Sequence, residues 1–396
     1  MKIAITCPAS LPATQFGGIL IFSVNLARRL GRLNHDVTIY TTDLNFSGSS
    51  IFFDKNLPRF ERVEKFAIKR SHVLFHIFLF LCNPKIYSQI RNDKPDIIHA
   101  VGIRAFQSFA SALLSKFEKI PLVLSDYGGL TTHPDIVKGG IFKRMAYKFQ
   151  KPILRFIMNQ ASIVIAANEY EIFDFSTLVK REKIVLVPNG IDMDSLQKTE
   201  IDFKSKYKIS DRIILFVGRF DKVKGVDILL QAFSKVCKDI RFNNVKLVIM
   251  GANFGFKNEM LDIINKLKID KQVKIIENPP REDVISAYHA CEFLVLPSRW
   301  ELSPLTPLEG FACKKTAVST NTAGIPYVIQ HENSGILVPV DDIEELTKSI
   351  IMLLNDKEKI SFLANNGYAS VKEKFNIEKM TNDIVSIYEE ILNIKG

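Results

Sequence analysis

The chain has 396 residues, 47% hydrophobic, 24% charged and 10% aromatic, enough apolar surface for a large core, which excludes a disordered, collagenous or small disulfide-stapled protein. At roughly 150 residues per domain the length predicts two to three domains. Of the +10 formal charge, +9 lies in residues 1–200 (26 basic, 17 acidic) and +1 in residues 201–396 (27 basic, 26 acidic), so the halves are expected to meet different partners.

In chain order, residues 2–7 form a short apolar run ended by Pro8, too short for a signal-peptide core and read as a first β-strand. Phe16-Gly17-Gly18 follows. Further strands are predicted at 36–41, 96–100, 122–126, 162–166 and 183–187, then at 212–217, 245–250, 273–277, 293–296, 316–319 and 336–338. Each is a short apolar run bounded by Gly, Pro, Asn or charge and separated from the next by helical pattern, the arrangement of βα units around buried parallel sheets. The most apolar stretch, 73–82, includes His76 and is half the length of about twenty that a membrane-spanning helix needs. Cys7, Cys82, Cys237, Cys291 and Cys313 stand singly, which reads as a reduced, cytosolic chain. The predicted class is α/β with two doubly wound domains. The polar stretch 194–211 marks the boundary, giving domains at 1–195 and 196–375. Beyond about Asp341 only helices are expected; the last, 376–396, has apolar positions Met380, Ile384, Ile387, Tyr388 and Ile391 at helical spacing and can pack back on the first domain.

Two segments carry chemistry. The first, residues 297–313, leaves a buried strand through Pro297-Ser298, presents Glu301, and opens a helix near Pro304 to Pro307, where proline is tolerated. The free amides of that first turn, at the positive helix end, form an anion site. Glu309, inside the helix, can accept hydrogen bonds from neighbouring hydroxyls such as those of a ribose. In the second, residues 216–233, a strand ends at Gly218, Arg219 stands on the loop, and Lys224-Gly225 is expected to start a helix. Ligands of open α/β sheets bind at the carboxyl ends of strands, and Arg219 and Lys224 there can clamp a diphosphate.

Together the segments resemble the retaining GT-B glycosyltransferases of family 4 (glycosyltransferase group 1). Glu301 and Glu309 match that family's Glu-x7-Glu, and Gly218, Arg219, Lys224 and Gly225 its Gly-Arg-x4-Lys-Gly. Further matches are Phe16-Gly17-Gly18, Lys94-Pro95-Asp96-Ile97-Ile98-His99, Val187-Pro188-Asn189-Gly190-Ile191-Asp192 and Asn333-Ser334-Gly335-Ile336-Leu337-Val338. The resemblance implies two Rossmann-like domains facing across a cleft, with the C-terminal helix crossing back. It implies sugar transfer from a nucleotide-diphosphate sugar to a sugar or lipid-linked acceptor with retention, as in cell-surface glycan or glycolipid synthesis. Arg219 and Lys224 would neutralise the departing diphosphate, Glu309 would hold the ribose, and Glu301 would bind donor-sugar hydroxyls. The amides around Ser303, Pro304 and Leu305, and the loop at Gly17 and Gly18, would approach the distal phosphate, with the acceptor mainly on the first half. With the charge neutralised in this way, neither a metal nor another cofactor is expected. Asp192-Met193-Asp194 lies inside a family match rather than forming a metal motif, and the remaining histidines lack metal-ligand spacing.

Two departures stand out. Where the family places a loop histidine, this chain has Asp126-Tyr127, with His133 six residues on; Asp126 and His133 are the candidates for that contact. Tyr327 stands where the family has a glutamate, so donor preference is left open. Residues 136–168 carry Lys138, Lys143, Arg144, Lys148, Lys151 and Arg155 among many large apolar side chains and no acid, a pattern able to lie on an anionic membrane surface or to pack as an ordinary helix interrupted by Pro152. A cytoplasmic location, at the inner face of the cell membrane, is expected. No nucleic-acid module accompanies the charge. A nucleotide-sugar epimerase of the same fold and a catalytically silent nucleotide- or glycan-binding subunit are the alternative readings.

Overall fold

The computed structural model describes residues 1–47, 50–77, 80–126, 129–132 and 141–393. The chain forms two compact units, Met1–Pro188 with Glu378–Gly396, and Asn189–Ile377.

In the first unit the strands are β1 (Lys2–Thr6), β2 (Asp36–Thr42), β3 (Leu44–Ser47), β4 (Ser50–Phe53), β5 (Phe60–Val63), β6 (Phe66–Ser71), β7 (Phe75–Ile77), β8 (Phe80–Cys82), β9 (Ile97–Val101), β10 (Leu122–Ser125), β11 (Ile163–Ala166) and β12 (Ile184–Leu186). An eight-stranded sheet runs β12-β11-β10-β9-β1-β2-β6-β5. It is parallel except for the β5–β6 pair. The six strands expected in this half all lie in it, because their runs are apolar on both faces, as a sheet covered on both sides requires. The segment between β2 and β9 is different. There β6 and β5 extend the sheet beyond β2, whereas β3–β4 and β7–β8 pair locally as antiparallel hairpins, and the very apolar stretch 73–82 leaves Leu74, Phe75 and Ile77 exposed at 69%, 54% and 62%.

Helices α1 (Gly18–Arg32), α2 (Lys85–Asp93), α3 (Phe106–Glu118), α4 (Ile141–Gln160) and α5 (Glu169–Ser176) connect these strands. Helix α4 continues through Pro152. Pro152 and Lys148, whose carbonyl the proline cannot bond, are both exposed, so water can take that acceptor and the helix need not break there.

In the second unit, β13 (Arg212–Val217), β14 (Val245–Gly251), β15 (Val273–Glu277), β16 (Phe293–Leu296), β17 (Ala317–Thr320) and β18 (Gly335–Val338) form a six-stranded sheet in the order β15-β14-β13-β16-β17-β18. Its ladders are all parallel. Helices α6 (Phe203–Tyr207), α7 (Val226–Val236), α8 (Lys257–Leu267), α9 (Arg281–Ala290), α10 (Leu305–Ala312), α11 (Ile343–Asn355) and α12 (Lys357–Glu373) accompany it. Strand order reverses at β13/β16 here and at β1/β9 in the first unit. At such switch points the connecting loops diverge and open a crevice.

The last helix, α13 (Ile377–Asn393), belongs from Glu378 onward to the first unit. It buries Met380, Ile384, Ile387 and Tyr388. His99 of β9 anchors it: Nδ1 lies 2.5 Å from the Tyr388 hydroxyl and Nε2 lies 2.8 Å from Ser125 Oγ. Complete burial pushes the imidazole down to about 3, so the ring is neutral and each nitrogen has one partner.

Candidate functional site

The β13/β16 switch point carries the chemistry expected of the second unit. After β13, Arg219 lays its guanidinium over the Phe254 ring at 5.0 Å. A 3-10 turn, Lys222–Lys224, follows, capped by Asp221, whose carboxylate accepts from the Val223 amide at 2.9 Å. Lys224 therefore lies in this turn rather than in the helix, which begins at Val226 with Gly225 as its N-cap. Gly225 has φ +67°, and a Cβ there would sit 2.0 Å from the Pro297 carbonyl oxygen. Only glycine lets the loop after β13 press so closely on the loop after β16. Arg299 fastens the two loops, donating to both Asp227 oxygens at 2.8 and 2.7 Å and pairing with Asp341 at 2.8 Å.

This contact brings Lys224 Nζ onto the Glu301 carboxylate, their side chains 18% and 20% exposed. Ser298 Oγ also donates to Glu301, at 3.1 Å, and the Glu301 carbonyl accepts from the Gly324 amide at 2.8 Å. Pro304 is the N-cap of α10 and offers no side-chain cap, so the first-turn amides from Leu305 onward have no intrahelical acceptor. Ser303 Oγ meets Asn189 Nδ2 at 2.9 Å. Glu309 makes its contacts with other elements: Arg281 at the start of α9 donates to it at 2.6 and 3.2 Å, and the Tyr288 hydroxyl donates at 2.7 Å. Tyr288 is fully buried, and burial first, then Glu309, pushes its phenol well above the ordinary range. Tyr327 ends a 3-10 turn and is 40% exposed.

In the first unit, Gly17 has φ +93° and caps α1, and a Cβ on Gly17 or Gly18 would meet nothing within 4 Å. The loop thus leaves open space beside both glycines, while the Gly17 amide itself donates to the Thr14 carbonyl at 3.2 Å. Asp126 follows β10, is 3% exposed and accepts from the Ile103 amide at 3.0 Å. His133 and Tyr127 lie outside the described residues. Among the described residues no three His, Cys, Asp or Glu side chains gather as metal ligands.

Family models match nearly the whole chain: Glycosyltransferase Family 4 over residues 16–195 and Glycosyl transferases group 1 over residues 197–370. The chain belongs to the group 1, family 4 glycosyltransferases. It is 26% identical over 399 residues to the N-acetyl-alpha-D-glucosaminyl L-malate synthase of Bacillus anthracis, covering 99% of this chain and 97% of that one. It is 24% identical to the capsular polysaccharide biosynthesis glycosyltransferase CapM of Staphylococcus aureus, with 92% of each covered. Among solved structures, sucrose-phosphate synthase from Thermosynechococcus elongatus superposes with TM-score 0.81 at 19% identity over 99% of both chains. Anabaena HepE in complex with UDP and glucose superposes with TM-score 0.77 at 19% identity over 98% of this chain and 99% of that one. The fold of this glycosyltransferase is GT-B, with two Rossmann-like domains.

Several site residues escape the motifs. Arg281, Tyr288 and Phe254 hold Glu309 and Arg219, yet each is distant in sequence from what it holds. One local signal exists for Arg281: a cation at a helix start opposes the helix dipole, the sign of a residue kept for a partner.

Proposed function

We propose that this glycosyltransferase moves a hexosyl group from a nucleotide-diphosphate sugar to a sugar or lipid-linked acceptor, with retention, in cell-surface glycan or glycolipid synthesis. The observation that carries the reading is the joined pair of loops at β13/β16. They set Arg219, the Lys224–Glu301 pair and the uncapped start of α10 at one switch point, with Glu309 on the same helix. Separating a diphosphate from an anomeric carbon develops negative charge on the leaving oxygen. Fixed cations and backbone dipoles aimed there stabilise it without reorganisation. Arg219 and Lys224 supply the cations, Glu301 the acceptor for donor-sugar hydroxyls, and Glu309 the acceptor for ribose. The acceptor binds mainly the first unit, where Asp126 and His133 are the candidates for the contact that the family's loop histidine makes. HepE, solved with UDP and glucose, supports a nucleotide-sugar donor.

The deciding experiment is a thermal-shift panel of UDP-, GDP- and ADP-sugars. Specific binding at one hundred times Kd stabilises by about 2.7 kcal/mol. No shift with any of them, in the presence or absence of divalent metal, overturns the reading.

The reaction needs no metal on this reading. Turnover is expected to survive excess EDTA within about twofold, and strict dependence on Mg²⁺ or Mn²⁺ would sink that part.

The enzyme acts at the cytoplasmic face of the membrane. On α4, Met145, Phe149 and Ile153 recur at every fourth position and are 51%, 75% and 47% exposed, beside Lys148, Lys151 and Arg155, while Leu154, Ile157 and Met158 are buried. The helix packs one face and leaves a basic, apolar one outward, which suits an anionic bilayer. No helix among the described residues is long and apolar enough to cross a membrane. The chain is expected to co-sediment with phosphatidylglycerol vesicles and much less with phosphatidylcholine; equal partition into both would count against it.

A further inference from the structure

Three buried carboxyls crowd the carboxyl ends of β10 and β11. Asp126, Glu171 and Asp174 are 3%, 0% and 0% exposed. Ser125 and Ile165 are partners across the two strands, so Asp126 and Ala166 leave the sheet side by side, and Ala167 follows.

Asp174 is well supplied with donors, and Asp126 has a backbone donor. Asp126 Oδ1 accepts from Ile103 N at 3.0 Å. Asp174 accepts from the Leu130 and Thr131 amides, both at 3.0 Å, and from the Thr131 and Thr132 hydroxyls. Glu171 Oε2 accepts from the Ala167 amide at 2.7 Å, but its Oε1 is buried without a hydrogen-bond partner among the described residues. The side chain is folded back over the start of its own helix, where Asn168 Oδ1 accepts from the Glu171 amide at 3.0 Å.

The helix start and the Ala167 amide favour the ionised form. Burial opposes it, and so do the two carboxyls that face the group, Asp126 from the strand end and Asp174 from the same helix. Burial is the largest influence, and the group titrates well above the ordinary carboxylate range. A buried carboxylate with one oxygen left without a donor, between two other carboxyls, is costly, whereas a neutral acid can donate where the ion cannot.

We propose that Glu171 is carried as a neutral acid and acts as a positioning residue for Asp126, its proton allowing three buried carboxyls to sit together beyond the ends of β10 and β11. Asp174 fixes residues 130–132 and Asp126 fixes the turn at Ile103. Glu171, uncharged between them, adds no third charge to the carboxyls that hold the Ile103 turn and residues 130–132. The functional consequence rests on Asp126 being an acceptor-side residue; the titration does not.

The sign of the pH dependence follows. A carboxyl raised in the folded state binds a proton that the unfolded chain releases near pH 4.3. Its contribution to stability is therefore full below that pH and declines until the pH passes its raised value. Thermal unfolding of the full chain from pH 5 to 9 tests this for wild type, Glu171→Gln and Asp126→Asn. Relative to Glu171→Gln, which cannot ionise, wild type should lose about 3 °C in Tm per pH unit within the window. Asp126→Asn should end the decline at lower pH, since one opposing charge is gone. A wild-type-minus-Gln difference constant with pH overturns the proposal, and an unmoved window in Asp126→Asn overturns the coupling to Asp126. Should Glu171→Gln not fold, the protonated-carboxyl infrared band of wild type at pH 7 decides, and its absence refutes the neutral acid. None of these measurements uses donor or acceptor, so a failure of the transfer reading shows up separately, as a chain that titrates in this way yet transfers no sugar.

Discussion

Glu309→Ala is expected to abolish the stabilisation that the best nucleotide sugar gives wild type, and to lower kcat/KM by about a hundredfold or more. Glu309 is 13% exposed and held by Arg281 and Tyr288, so its carboxylate is pre-oriented and offers its remaining acceptor capacity to a ligand. A bidentate contact to two ribose hydroxyls, each a hydrogen bond to a charged group of about 1.5–3 kcal/mol, accounts for that loss. The free protein also suffers. The buried Tyr288 hydroxyl loses its acceptor, at a cost of about 1–3 kcal/mol, while half-exposed Arg281 returns to water at little cost. Glu309→Gln separates the two effects, since its amide oxygen can still accept from Tyr288. A full ligand-induced shift in Glu309→Ala would remove this residue from the nucleotide site.

Lys224→Ala is expected to lower kcat by about 10²- to 10³-fold, the range seen when one donor to a developing negative charge is removed. The ammonium does two things. It opposes the charge on the leaving diphosphate, and it keeps the Glu301 carboxylate in place with Ser298. Without it Glu301 retains the Ser298 hydroxyl and 20% exposure, so the fold survives and the loss falls on turnover. Lys224→Arg is not expected to rescue it, because a planar fork cannot occupy the place of a compact ammonium against both Glu301 and a phosphate. Steady-state kinetics with separate kcat and KM would check this, and a kcat within threefold of wild type would refute it.

Much of the architecture is legible in the residues. The apolar runs at 2–7, 212–217 and 293–296, four to six residues long and bounded by turn or polar residues, read as strands buried on both faces, as central parallel strands are. The pairing of Lys224 with Glu301 is half legible. The Gly-Arg-x4-Lys-Gly and Glu-x7-Glu spacings put each residue at the carboxyl end of a strand, and the neighbouring positions of β13 and β16 then bring the ends together. The segment between β2 and β9 is not legible, because its short hairpins place Leu74, Phe75 and Ile77 in the open, and their apolar run carries no period that distinguishes an exposed hairpin from a buried strand.

The sequence by itself determined the α/β class, the places of twelve of the parallel strands and the residue types at their ends, because these follow from local periodicity and from the few residues that tolerate sharp turns. Only the tertiary structure decided which charges meet. Arg281 finds Glu309 across 28 residues and Arg299 finds Asp227 across 72. Glu171 becomes a fully buried acid because the register of β10 and β11 sets Asp126 beside it. Charge-pair energies and the protonation of a carboxyl depend on distance in space and on exclusion of water, and neither is a property of neighbours along the chain.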